Sequence, residues 1–533
     1  MKNASILVLT DPKSPSYAQY TTFLRPYLDW FGFPYDERPI TSSGSMDYAL
    51  ILLAHPDMTA TAPALRAVRM AYDNGTGLAV FDSALALALG VATPKTAVAE
   101  GGHILISPHE ISSLHPSGDS IALFAAHTYS ISASVGDTVA SLGTTPLLEA
   151  GNRIVLWHDM GWMNPSVCGP LMGLDDLLWK SLVFAARKPI VMQGLPPFVG
   201  MRVDDVWGAW REFDEENPLS WVDIANSYGL IPWLGVFQNN VNEATLKQLQ
   251  KHAKAGTATM FPHAFAGCEW VPSDLPEHFI WFDHFAGKPY DDATIKENAI
   301  RAKSWFSENG LPISKLALAH YYETGKNALP YLVEMGCEFI GVHMTPSTPY
   351  RNEDPQWVKC GPYRTVLDGP HNGKHPVFYA DYLPDDPRLF NCVTEIRDVC
   401  GYEWSPTSNV EKTVRDGIRQ ITRALQSLVP AVFFTHESAW IQRMSPNTVK
   451  ASFDGVFSAI EGYEPIPASM DEICGYVRAK VGIKLLSAES DGTSVKLSVS
   501  GKNDRETKFT LFTEQGAKTL TLPAVSGETA LSI

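Results

Sequence analysis

The chain has no pair of cysteines at metal-ligating spacing. Its seven cysteines, Cys168, Cys268, Cys337, Cys360, Cys392, Cys400 and Cys474, are scattered, odd in number and never in CxxC. That speaks against a disulfide framework and leaves a thiolate zinc site unsupported. No apolar run reaches the roughly 18 residues of a membrane helix, so no membrane partner is expected. Positive charge is scarce: 42 Lys and Arg stand against 58 Asp and Glu, a net charge of −16. Binding to nucleic acid or anionic lipid rests on phosphate neutralisation, so neither is expected as a partner. A neutral or amine-bearing polymer is better tolerated. The opening MKNASILVLTD lacks the apolar h-region and cleavage site of a signal peptide. A cytoplasmic protein is expected, or a secreted or periplasmic one whose signal has been removed.

What is present is ordinary globular composition, 45% hydrophobic and 19% charged, over 533 residues. That length calls for two or three domains. Residues 1–100 alternate strand and helix signals. Ser5–Thr10, Tyr48–Ala54 and Gly77–Asp82 are short apolar runs of the kind found in central parallel strands. Helical spacing marks Ser16–Phe31, with a break at Pro26, and Leu65–Asn74, stopped by Gly75. The expectation is a doubly wound α/β domain, flavodoxin-like or glutamine-amidotransferase-like. No nucleophilic cysteine accompanies it, so a scaffold role is expected. Residues 101–190 read as a β-rich segment plus the helix Leu174–Ala186. The Pro- and Gly-rich RKPIVMQGLPPFVG at 187–200 marks the boundary.

Residues 191–476 alternate again. Strands are expected at Phe198–Asp204, Ile231–Phe237, Thr257–Pro262, Leu316–His320, Phe339–Val342 and Ala431–Thr435. Helices are expected at Glu243–Ala255 and Asp292–Asn309. Such repetition predicts a (β/α) barrel, complete or incomplete. Residues 477–533 hold alternating strands such as DGTSVKLSVSG and ETKFTLFTEQG, read as a small β-sandwich.

The chemistry concentrates at strand ends. Met201-Arg-Val-Asp-Asp-Val-Trp-Gly208 closes a buried strand with two adjacent carboxylates. One acid of such a pair can bind a metal while the other accepts a proton from water. Alone, an Asp pair is more often a solvated turn. But His263, His320 and His436 each follow an apolar strand, and His284 precedes a helix. In a β/α barrel those ends converge on one face, and a carboxylate with two imidazoles is an open metal set.

These motifs, RVDDVWG, the histidines ahead of an amphipathic helix, and FFTHESAW, stand in the order used by NodB-homology polysaccharide deacetylases. Residues 198–475 resemble that family. The likeness is nearest to the N-deacetylase domain of heparan sulfate N-deacetylase/sulfotransferases, and extends to the fungal galactosaminogalactan deacetylase. The resemblance implies Asp204 as general base, His436 as general acid, and Asp205, His263 and His284 as ligands of a divalent metal, zinc by expectation. It implies an N-acetylated amino-sugar substrate and a substrate-facing role for His320. The family's metal histidines stand only a few residues apart, whereas 20 residues separate His263 from His284, which makes His278 a rival ligand. Aromatics gather near the motifs: Trp207, Trp210, Trp270, Trp281, Tyr321, Tyr322, Trp404 and Trp440. Trp207, Tyr321 and Trp440 are expected to meet sugar faces, although aromatics also fill cores. Two other readings stand beside this one: a two-carboxylate glycoside hydrolase, and a carbohydrate-binding protein without activity.

Overall fold

The structure is a computed structural model of the whole chain. It describes every residue except 117, 165–166, 170, 172, 213, 268–278, 287, 343–356, 360–379, 384, 394–403 and 439. The chain is mixed α/β and divides into two compact units. Met1–Leu195 and Ala479–Ile533 belong to one, and Pro196–Asn372 and Tyr379–Arg478 to the other. No described helix is long and apolar enough to cross a membrane.

In the first unit the apolar runs are parallel strands. Tyr35–Pro39, Ile6–Thr10, Leu50–Leu53, Gly77–Val80 and Ile154–Trp157 lie side by side in that order, all parallel. Numbered along the chain the order is 2-1-3-4-5. Four of the five are buried from end to end, as a sheet covered on both faces requires. The sheet then continues antiparallel through Thr145–Gly151, Asp137–Leu142, Thr93–Ile106 and Ser120–Ser134. Residues 101–157 therefore extend the first sheet, and the division expected at residue 100 falls inside the strand Thr93–Ile106. Pro26 is the second residue of the helix Arg25–Phe31, which follows a π-helical turn over Tyr20–Leu24. At a first turn the missing N–H of proline costs nothing.

The C-terminal strands form two small sheets over one apolar core. In one, Lys2–Asn3, Ile483–Ser490, Val495–Gly501 and Thr529–Ser532 lie side by side in that order; in the other, Thr507–Thr513 lies between Ile190–Met192 and Gly516–Leu522. Ala4 and Val191 share the core with Leu497, Val499, Phe509 and Leu511. Two strands of this module thus come from near residues 2 and 191, which explains why it belongs to the first unit.

The second unit holds two parallel arcs. Thr259–Ala264, Trp233–Phe237, Phe198–Val206 and Ala431–His436 form one, in that order. Leu316–Ala317, Phe339–Val342 and Phe390–Val393 form the other, with Asp381–Tyr382 antiparallel at its edge. The helices Ser220–Asn226, Glu243–Ala255, Asp292–Glu308, Leu329–Glu334 and Val410–Gln426 lie between strands in the chain. Glu243–Ala255 has the bounds expected of it, because Asn242 caps its start, accepting the Thr245 N–H, and left-handed Gly256 ends it. Asp292–Glu308 starts under Asp291 in the same way. No ladder closes the two arcs into a ring among the described residues. Single bonds pass between them: Ser314 N–H to Met260 O (2.7 Å) and Trp233 Nε1–H to Leu316 O (3.1 Å).

Candidate active site

Five polar side chains meet at the carboxyl ends of these strands. Asp204 and Asp205 lie near the end of Phe198–Val206, and His263 near the end of Thr259–Ala264. His436 ends Ala431–His436, where it is the ladder partner of Asp204. His320 stands three residues beyond Leu316–Ala317. The strand expected to run to His320 pairs only over Leu316–Ala317, and Tyr321 and Tyr322 then take left-handed backbone, φ 54° and 59°, in a tight turn. Non-glycine residues rarely adopt that region, and it concentrates at functional sites.

A regular strand sends neighbouring side chains to opposite faces. Here the register against Trp233–Phe237 shifts between Val203 and Val206, and Asp205 is left-handed at φ 58°. The bulge re-aims the pair. Both carboxylates reach the same imidazole nitrogen: His263 Nε2 is 3.6 Å from Asp204 Oδ2 and 3.5 Å from Asp205 Oδ1. Asp205 Oδ1 is also 3.2 Å from His320 Nδ1.

The two acids are held differently. Asp204 takes a two-pronged bond from Arg202, whose Nε donates to Oδ1 at 2.8 Å and whose Nη2 donates to Oδ2. Arg202 is fully buried, its guanidinium over the rings of Phe434 (4.1 Å) and Tyr322 (4.8 Å). Burial alone would raise the Asp204 pKa, but the charges of Arg202 and His263 outweigh it and hold the carboxyl below its usual value. Asp205 is likewise pushed up by burial and pulled well below the ordinary range by His320 and His436. Yet Asp205 Oδ1 is buried without a hydrogen-bond partner. Burial also keeps His320 below its ordinary value, against the pull of Asp205.

His263 resolves the tautomer. Its Nδ1 is 2.7 Å from the Leu318 carbonyl, which can only accept, so Nδ1 carries the proton. Nε2 then faces two carboxylates, an arrangement that a cation between them stabilises, whether a second proton on the ring or a metal ion. A backbone carbonyl on the far nitrogen is also how metal-ligating histidines are oriented. Asp205, His263 and His320 offer ligand atoms all within 4.8 Å of one another, a group that could hold a metal ion.

The sequence led to His284 as the third ligand; the structure instead places His320 with Asp205 and His263 in the group that could hold a metal ion. His284 puts Nδ1 2.8 Å from Glu323 Oε2 and stacks on Tyr321 at 4.7 Å, so its ring is already engaged beside the cluster. The rival His278 and Trp270 lie outside the described residues. Of the other aromatics, Trp210, Trp281, Trp404 and Tyr322 are buried, and the three indoles donate to backbone carbonyls of Met444, Pro262 and Thr413. Trp207 and Trp440 are half-buried and Tyr321 is 40% exposed, so these three keep surface for a ligand.

Two residues escaped the sequence reading. Arg202 stands inside the motif RVDD and fixes its first acid. Glu437 follows His436 and is fully buried. Its Oε2 accepts the N–H groups of Trp207, Gly208 and Ala209 at 2.8–3.0 Å, and its Oε1 that of Trp221 Nε1. It thereby fixes the loop that leaves Asp205. Compared with known proteins, the chain matches no family model and no curated protein.

Proposed function

We propose that this chain is a divalent-metal-dependent hydrolase that removes N-acetyl groups from an amino-sugar glycan, releasing acetate. The observation that carries the reading is the unpartnered Asp205 Oδ1 between two imidazoles, with Asp204 and His436 beside it. One carboxylate and two imidazoles suit zinc and leave coordination open to substrate. When bound there, the ion supplies Lewis-acid polarisation and lowers the pKa of water. Asp204, kept ionised beside Arg202, accepts the proton as water attacks the acetamide carbonyl carbon. His436, opposite it in the ladder, protonates the nitrogen as the C–N bond breaks, giving acetate and a free amine. Trp207, Tyr321 and Trp440 offer ring faces to sugar C–H surfaces. The reading takes the two arcs as an incomplete NodB-like (β/α) barrel and the first unit as a doubly wound α/β domain with a small β-sandwich.

A glycoside hydrolase needs one carboxyl held protonated as the acid. Asp204 and Asp205 are both shifted the other way. Glu437 is raised by burial, but its oxygens are committed to the loop. That speaks against the glycosidase. The test is acetate release from oligomers of N-acetylglucosamine and N-acetylgalactosamine, before and after EDTA treatment and after zinc is restored. Release that chelation abolishes and zinc recovers is expected. Undiminished release after chelation, or release of reducing sugar in its place, would overturn the proposal.

A further inference from the structure

The first unit carries a separate trio of reactive groups. Ser83 begins the helix Ser83–Ala88, three residues beyond the strand Gly77–Val80. Asp82 caps that helix, accepting the N–H groups of Ala84 and Leu85, which fixes where Ser83 stands. Ser83 Oγ is 3.0 Å from His158 Nδ1, and His158 Nε2 is 3.3 Å from Glu149 Oε2. His158 follows the strand Ile154–Trp157 and Glu149 lies on its neighbour Thr145–Gly151. The side chains of His158 and Glu149 are wholly buried, while Ser83 keeps part of its surface.

The direction of these bonds follows from Glu149. Burial would raise its pKa, but bonds from His158, Ser134 Oγ and the Val135 N–H outweigh that and hold it down at about 2. An ionised carboxylate only accepts, so an imidazole with a single proton holds it on Nε2 and leaves Nδ1 bare. Ser83 O–H then donates to Nδ1. A hydroxyl on an imidazole base, with a buried carboxylate fixing the base's tautomer, is the arrangement that activates a serine nucleophile. The two nitrogens exchange the places they hold in the serine-protease triad, and the roles are unchanged.

We infer that Ser83, His158 and Glu149 form a second catalytic centre, a serine nucleophile that cleaves carboxylic esters. Ser83 Oγ attacks the acyl carbon and its proton passes to His158 Nδ1. The C–O bond to the alcohol breaks and that alcohol leaves with the proton from Nδ1. Water then attacks the acyl-serine, giving its proton to Nδ1. The acid departs as Ser83 Oγ takes the proton back. Ester and water become acid and alcohol, with no other reactant.

The full chain is tested with a fluorophosphonate probe and with p-nitrophenyl acetate, both after EDTA treatment. One label per chain is expected at Ser83, absent from Ser83→Ala, with ester hydrolysis above that of Ser83→Ala. His158→Gln should slow both by about 100-fold or more, the lower range for loss of a general base. If His158→Gln fails to fold, Glu149→Gln, which keeps the outline of the carboxylate but not its charge, should slow labelling. No label on the folded parent, or equal rates in parent and Ser83→Ala, would overturn the inference. So would labelling that neither the His158 nor the Glu149 variant slows.

Discussion

Each unit places a histidine at or just beyond the carboxyl end of a parallel strand, and what faces its two nitrogens differs. His263 in the second unit gives its Nδ1 proton to a backbone carbonyl and turns Nε2 toward Asp204 and Asp205. His158 in the first unit gives its Nε2 proton to Glu149 and turns a bare Nδ1 toward a hydroxyl. The rings are alike in tautomer logic and opposite in need. A ring nitrogen facing carboxylates calls for a cation, and a lone pair facing a hydroxyl calls for that hydroxyl's proton. The partner on the far side of the ring, not the histidine, decides which chemistry is available.

The sharpest way to break the comparison is to remove the acid that makes His263 seek a cation. Asp205→Ala should lose bound metal and N-deacetylation together in a folded chain. His284→Ala should keep its metal, because His284 is held by Glu323 and stands outside the ligand group. Metal analysis of both variants checks this, and metal lost from His284→Ala alone would return the ligand set to the one expected from sequence. Next come the proton carriers. Asp204→Asn and His436→Ala should each lower kcat by roughly 10²–10⁴-fold with metal content intact. A His436→Ala protein that is less stable yet fully active per folded molecule would reduce His436 to a structural residue.

A gentler change sharpens the comparison further. A methyl group at Gly235 would lie 3.0 Å from His263 Cγ and 3.0 Å from the Trp233 ring. Gly235→Ala should therefore tilt His263 and weaken zinc affinity by about 10–100-fold, the usual cost of disturbing a ligand's support. Competition against a chelating dye measures it. Unchanged affinity would mean that His263 does not ligate, or that its ring has room to spare.

Much of this was legible in the sequence, for a physical reason. Strands buried on both faces must be apolar throughout, so Ser5–Thr10, Tyr48–Ala54 and Gly77–Asp82 announce a sheet without help from distant residues. A polar residue closing such a run, as at Asp204, Asp205 and His263, marks a strand end and so a place in the site. His320 has its expected place, and the structure adds its closeness to Asp205 and His263. The turn at Tyr321 and Tyr322 swings it against Asp205, and left-handed tyrosines leave no sequence signal. The C-terminal module looked self-contained because pairings such as Lys2 with Ser490 are invisible to local periodicity. Ser83 leaves no local signal, because the imidazole it meets lies 75 residues away in the chain.

The smallest effect on either activity belongs to a third histidine, in neither site, that completes the comparison. His115 has carboxylates on both nitrogens: Nδ1 is 2.8 Å from Asp119 Oδ2 and Nε2 is 3.0 Å from Asp176 Oδ1. Neither oxygen can donate, so the ring satisfies both only when doubly protonated. Burial opposes the charge, but the bonds to Asp119 and Asp176 prevail and raise the pKa to about 9. A pKa higher in the folded chain than the ordinary 6.5 or so means that folding binds a proton more tightly. The stabilisation is therefore whole below about pH 6.5 and disappears as the pH rises through about 9. At 1.36 kcal/mol per pH unit it amounts to at most about 3 kcal/mol. Lys480 has the opposite slope: burial lowers its pKa to about 7, so raw stability mixes the two. The difference between parent and His115→Gln cancels Lys480, which both chains share. Chemical denaturation at about pH 6, 8 and 9.5 should show that difference shrinking steadily across the range set by these pKa values. Metal content and ester hydrolysis should stay as they were. A difference that does not change with pH would mean that His115 is held neutral, and that two carboxylates around an imidazole do not suffice to charge it.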